Sequence, residues 1–63
     1  MSYAVQTWRD GNATPDVYFT GDLRDAKTYM LGAEKLTVSE SVSRCYEYRQ
    51  GAWRVLTECR YFA

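Results

Sequence analysis

Histidine is absent from this chain, and with it the commonest general base and metal ligand near neutral pH. The remaining reactive types are Cys45 and Cys59, the aspartates Asp22 and Asp25, and the serines Ser39, Ser41 and Ser43. Two aspartates three residues apart would suit acid–base work, but these stand where a helix begins, and capping accounts for them. The serines alternate along a strand with no base beside them in sequence to activate a hydroxyl. Two thiols without histidine fall short of the four ligands of a structural zinc site. The four glycines sit at scattered turns and build no phosphate-cradling loop. These patterns point away from an enzyme and away from any cofactor or metal, and leave recognition as the chemistry to account for.

Recognition would rest on arginine and aromatic side chains. Six Tyr, two Trp and two Phe make 16% of the 63 residues aromatic. Net charge is zero, yet residues 1–40 carry four basic and six acidic side chains, while residues 41–63 carry four arginines against Glu47 and Glu58. A chain built to grip a phosphate backbone usually shows a basic excess, so neutrality speaks mildly against general nucleic-acid binding.

The elements that position these groups follow from periodicity. Tyr3 to Arg9 reads as a strand with Tyr3, Val5 and Thr7 on one side and Ala4, Gln6 and Trp8 on the other. Asp10 to Pro15 is a dense run of turn residues, and Asp16 to Thr20 a second short strand. Asp22 is placed to cap a helix whose apolar stripe is Leu23, Ala26, Met30 and Ala33. Asp22 and Asp25 suit its positive end, and Lys27 and Lys35 its negative end. Gly32 is either its stop or a tolerated interior glycine, with an end fraying between 31 and 35.

From Leu36 the chain alternates strictly. Leu36, Val38, Val42, Tyr46 and Tyr48 fall on one parity, with serines and Cys45 on the other. Thirteen residues is long for one strand, which predicts a bend or bulge near Glu40-Ser41. After Gln50-Gly51 the parity flips to Trp53, Val55, Thr57, Cys59 and Tyr61. The hairpin register that brings both apolar sets to one face pairs Tyr48 with Trp53, Tyr46 with Val55, Arg44 with Thr57 and Val42 with Cys59. It sets Glu47 opposite Arg54 on the other face. The expected architecture is α+β in ββαββ order, one domain over residues 1–63. A four-stranded antiparallel sheet carries one helix on its apolar face.

That register predicts Cys59 toward the core and Cys45 away from it, two independent thiols. It makes Trp53 and Tyr48 a core-closing pair. Arg44 intrudes on the apolar face, either snorkelling at the sheet edge or meeting a helix acid such as Asp25 or Glu34. The outward face is left holding Arg49, Arg54 and Arg60, with Tyr61 and Phe62 adjacent, and Trp8 exposed as an interface anchor. Arg49, Arg54, Arg60, Tyr61 and Trp8 are thus the expected partner-binding residues. Three readings of this face stand side by side: a solvated surface neutralised by Glu47 and Glu58, a protein-docking surface, or a nucleic-acid surface of arginines and stacking rings. A homodimer through an unpaired strand edge is a further expectation.

The N-terminus has no basic segment followed by an apolar run, and nothing approaches the roughly 20 apolar residues of a membrane span. A cytoplasmic address with reduced thiols is expected.

Thr20-Gly21-Asp22-Leu23-Arg24-Asp25-Ala26-Lys27, the long strand after it and Gly51-Ala52-Trp53 opening the last strand resemble several very small phage-borne proteins. Among them are anti-CRISPR inhibitors of type I systems, which also set one helix against an antiparallel sheet. The resemblance implies a non-enzymatic inhibitor that binds and blocks a host effector complex, with the Arg and Tyr side chains of the last hairpin as the first place to look. The neutral charge departs from the strongly acidic, DNA-mimicking members.

Overall fold

A computed structural model describes residues 2–33 and 40–62. The elements run β1 (Ser2–Arg9), β2 (Asp16–Thr20), α1 (Leu23–Ala33), β3 (Glu40–Arg49) and β4 (Ala52–Phe62), the α+β order read from the sequence. Glu34, Lys35, the expected start of the long strand at 36–39 and the side chain of Ala33 lie outside the described residues. The last turn of α1 holds no basic side chain, and Gly32 lies inside the helix.

Every neighbouring pair is antiparallel, in the order β2-β1-β3-β4. Both hairpins turn through left-handed backbone. Asp10 and Gly11 have φ of 50° and 74°, and Gln50 and Gly51 have 54° and 78°. Paired positive φ is the geometry that matches a tight turn to strand twist, and glycine tolerates it best. Asp10 also ties the sheet together: its amide donates to the Glu40 carbonyl at 3.1 Å, and the Glu40 amide donates to Asp10 Oδ1 at 3.2 Å.

The helix begins as expected, the Arg24 amide donating to Asp22 Oδ1 at 2.9 Å. It packs on β1, β3 and β2. The face it covers is the one with the smaller side chains. Tyr3, Val5, Cys45, Ala26 and Met30 form the buried cluster, with Tyr18, Leu23, Tyr29 and Cys59 packed against it. Thr7, Ser41 and Ser43 are buried there too, and the Thr7 and Ser43 hydroxyls hydrogen-bond at 3.1 Å. The expectation that the helix sits on the Val42/Tyr46/Tyr48 face is therefore overturned. β2 and β3 run parallel to each other with α1 crossing over β1 between them. Crossovers of this kind are nearly always right-handed, so chain chirality chooses the covered face whatever its polarity. Small serine and cysteine side chains then let the helix approach closely.

Tyr18 fastens that layer. Its ring stacks on Tyr29 at 4.3 Å between centroids and 5° between planes, and its hydroxyl donates to Asp25 Oδ2 at 2.6 Å. Asp25 is thereby taken up by Tyr18 rather than by Arg44.

The last hairpin keeps part of its expected register. Tyr48 faces Trp53, Glu47 faces Arg54 and Tyr46 faces Val55. Then the ladder slips between Cys45 and Tyr46: Cys45 faces Thr57, Arg44 faces Glu58, Ser43 faces Cys59 and Val42 faces Arg60. Leu56 is the extra residue of a β-bulge in β4, in place of the bend expected at Glu40-Ser41. The Arg44–Thr57 and Val42–Cys59 pairs are not formed.

Two measurements check this layer. Met30, only 3% exposed, should cost about 2–5 kcal/mol when cut to alanine, read from urea denaturation. The Tyr18 hydrogen bond, followed by one from Thr20, holds the Asp25 carboxyl below its ordinary pKa. A carboxyl depressed on folding stabilises above its unfolded pKa and loses that contribution as pH falls through the folded value. The denaturation midpoint should thus drop between about pH 5 and pH 3, and the drop should shrink in Tyr18→Phe, which keeps the ring stack.

Candidate interface on the uncovered sheet face

The face without a helix carries the large side chains. Cross-strand register lays it out in rows. Phe19, Ala4, Tyr46 and Val55 form one row; Val17, Gln6, Arg44 and Glu58 the next; Trp8, Val42 and Arg60 the third. Tyr48 and Trp53 close the end beside the Gln50-Gly51 turn. Ala4 is the small member of its row, and over it Phe19 and Trp53 meet at 6.2 Å between centroids. Trp53 leans on Tyr48 at 5.0 Å. A cleft of about 370 Å³ opens among Ala4, Gln6, Val17, Phe19, Tyr46 and Trp53.

Exposure decides what this arrangement is. Phe19 and Phe62 are each 67% exposed, Val55 58%, Val17 47%, Trp53 45% and Tyr48 43%. The Tyr48–Trp53 pair is formed as the sequence predicts, but it closes no core. It lies open on a contiguous apolar patch, the kind of surface that marks an interaction site.

The other end of the face carries a charged cluster among Trp8, Val42 and the exposed Phe62. Arg44 Nε donates to Glu58 Oε2 at 2.7 Å, and Arg60 Nε to Glu58 Oε1 at 3.1 Å. Arg44 also lies over the Trp8 ring, 5.3 Å from its centroid, a cation–π contact. Hydrogen bonds from Arg44 and then Arg60 hold the Glu58 carboxyl below its ordinary range. Arg44 thus pairs within the sheet; of the helix acids considered for it, Asp25 is held by Tyr18 and Glu34 lies outside the described residues.

The five residues expected to bind a partner are not gathered on one surface. Arg49 and Arg54 lie on the helix-bearing side near the turn, with Glu47 opposite Arg54. The bulge reverses parity beyond Leu56, so Arg60 passes to the uncovered face beside Trp8, and the half-buried Tyr61 to the helix side opposite Ser41. Trp8 is half-buried under Arg44 rather than freely exposed. Phe19, Val55 and Trp53 carry the exposed apolar surface instead. Trp53 and Val55 alternate plainly in the sequence, where they read as part of the core face.

The bulge also moves the cysteines. Cys45 and Cys59 share the helix-bearing face, correcting their expected placement on opposite faces. Both are thiols. They stand diagonally across β3 and β4, a relation that separates Cα atoms by roughly 7–8 Å, beyond comfortable disulfide reach. Among the described residues no three His, Cys, Asp or Glu side chains converge as a metal site would require, and no helix is long and apolar enough to cross a membrane.

Burial raises the Cys45 thiol pKa, and the residue is fully enclosed, whereas Cys59 is half-buried. Labelling of the native chain with a thiol reagent should modify Cys59 first and Cys45 only on unfolding. Equal rates in native buffer would show that the helix layer does not close over Cys45.

No family model, no curated protein and no solved structure matches this chain.

Proposed function

We propose that this is a non-enzymatic binding domain whose partner is a protein docked on the uncovered sheet face. The observation that supports it is the coincidence, on one face, of exposed Phe19, Trp53, Tyr48 and Val55 with charges that cancel. By register that face holds Arg44 and Arg60 against Glu58 and Glu40. Aromatic anchors surrounded by neutralised polar groups are what protein interfaces use.

Nucleic acid is the weaker reading. A strand stacked on Phe19 and Trp53 needs basic side chains tracking its phosphates. Arg44 and Arg60 are already bonded to Glu58, and Arg49 and Arg54 lie on the opposite face. The likeness to phage-borne inhibitors adds host effector complexes to the partners worth testing.

A photo-crosslinking residue placed at Phe19 separates the two. Protein adducts lost on Trp53→Arg and retained on Arg49→Glu are the expected result. Retention of a single-stranded oligonucleotide at about 150 mM salt, abolished by Trp53→Arg, would overturn the protein reading.

A further inference from the structure

We infer that the protein on the uncovered face is a second copy of this chain, the two sheets packing face to face about a two-fold axis parallel to the strands. The inference rests on the protein-docking reading of this face and names its occupant.

Size is the first ground. The two longer extents of the molecule are 36 and 22 Å, so the face spans at most roughly 800 Å² in projection, an upper limit that reaches what each partner contributes to a standard stable interface. The third extent is only 15 Å, room for one sheet and one helix at the usual layer spacing of about 10 Å. A second sheet would supply the missing layer.

The second ground is what the covered core lacks. A single core in a domain this small supplies only a small margin of stability, so covering a further apolar face would add to it. Cys45 and Cys59 are thiols, and the described residues offer no metal cluster. Among the described residues the buried hydrophobic set is Tyr3, Ala4, Val5, Ala26, Met30 and Cys45, with no tryptophan or phenylalanine in it. The uncovered face offers the large apolar side chains that this set lacks, and another copy of the chain is a partner present whenever it folds.

Charge is the third ground. The chain is neutral, and the charges on this face balance by register, so two copies meet without net repulsion.

The axis follows from the rows. A two-fold along the strands, between β1 and β3, lays β2 of one copy over β4 of the other. Phe19 then faces Val55 of the second copy, and Tyr46 of the second copy stands over the small Ala4 at the cleft. Both contacts recur by symmetry. A two-fold across the strands would instead lay each strand over its own copy and turn the Trp53–Val55 end of β4 toward the Glu58–Arg60 end of the same strand, desolvating bonded charges under apolar groups. Aligned sheets cross at about 30°, so the matched end packs while the charged end splays toward the rim.

Sedimentation equilibrium of the purified chain, thermal melting at several concentrations, and isotope-filtered NOE spectra of a mixed labelled sample test this together. Support would be a mass rising from 7.3 kDa toward twice that value, a melting temperature that climbs with concentration, and inter-copy NOEs between Phe19 and Val55. Phe19→Arg should raise the dimer dissociation constant about 30-fold or more, while Arg24→Glu on the helix leaves it unchanged. If Phe19→Arg does not fold, the melting series and NOEs of the native chain decide. A monomer at concentrations up to about 1 mM, or a dimer whose NOEs come from α1, would overturn the second copy. A position-19 adduct with a different protein would then still support the docking reading, and its absence would remove both.

Discussion

One helix of eleven residues has to cover a four-stranded sheet, and it can cover only one side of it. The rest of the molecule follows from which side that is. Because α1 joins two parallel strands across β1, chain chirality selects the side. The selected face carries Tyr3, Val5, Thr7, Ser43 and Cys45, over which Ala26 and Met30 settle closely. Tyr18 completes the layer by offering its ring to Tyr29 and its hydroxyl to Asp25. The larger rings of β2, β3 and β4 are left on the far side.

The bulge at Leu56 is the second constraint, and it divides β4 into two halves of opposite parity. Before it, Trp53 and Val55 join the uncovered face. After it, Thr57, Cys59 and Tyr61 turn toward the helix side while Glu58 and Arg60 turn outward. A single extra residue thus assembles the Arg44–Glu58–Arg60 cluster at one end of the open face and leaves Trp53 and Val55 at the other. The same residue brings both cysteines to one face, where their diagonal offset keeps them apart.

These two constraints give a thin layer whose two faces differ in kind. The helix side is small, buried and stitched by the Thr7–Ser43 hydrogen bond. The open side is broad and aromatic, with Arg44 and Arg60 bonded to Glu58. A surface of that composition loses little electrostatically when a neutral protein covers it and gains apolar burial when it does.

Local signals in the sequence determined the elements: the Asp22 cap, the Leu23/Ala26/Met30 stripe, the turns at Asp10-Gly11 and Gln50-Gly51, and the Tyr48–Trp53 and Tyr46–Val55 pairs. Each depends on neighbours a few residues apart, or on a tight turn that fixes register at its own end. What lay beyond local reach was decided by the tertiary structure. Alternation tells which residues share a face, but not which face the helix takes, since that depends on the hand of a crossover between strands that are not adjacent. Two apolar parities also read alike in sequence whether the far face is core or interface. The slip at Leu56 leaves no composition signal, because Val55, Leu56 and Thr57 all suit a strand, and it shows only when β4 must pair along the whole of β3. Arg49, Arg54 and Arg60 therefore looked like one surface in the sequence, and the fold set Arg60 apart.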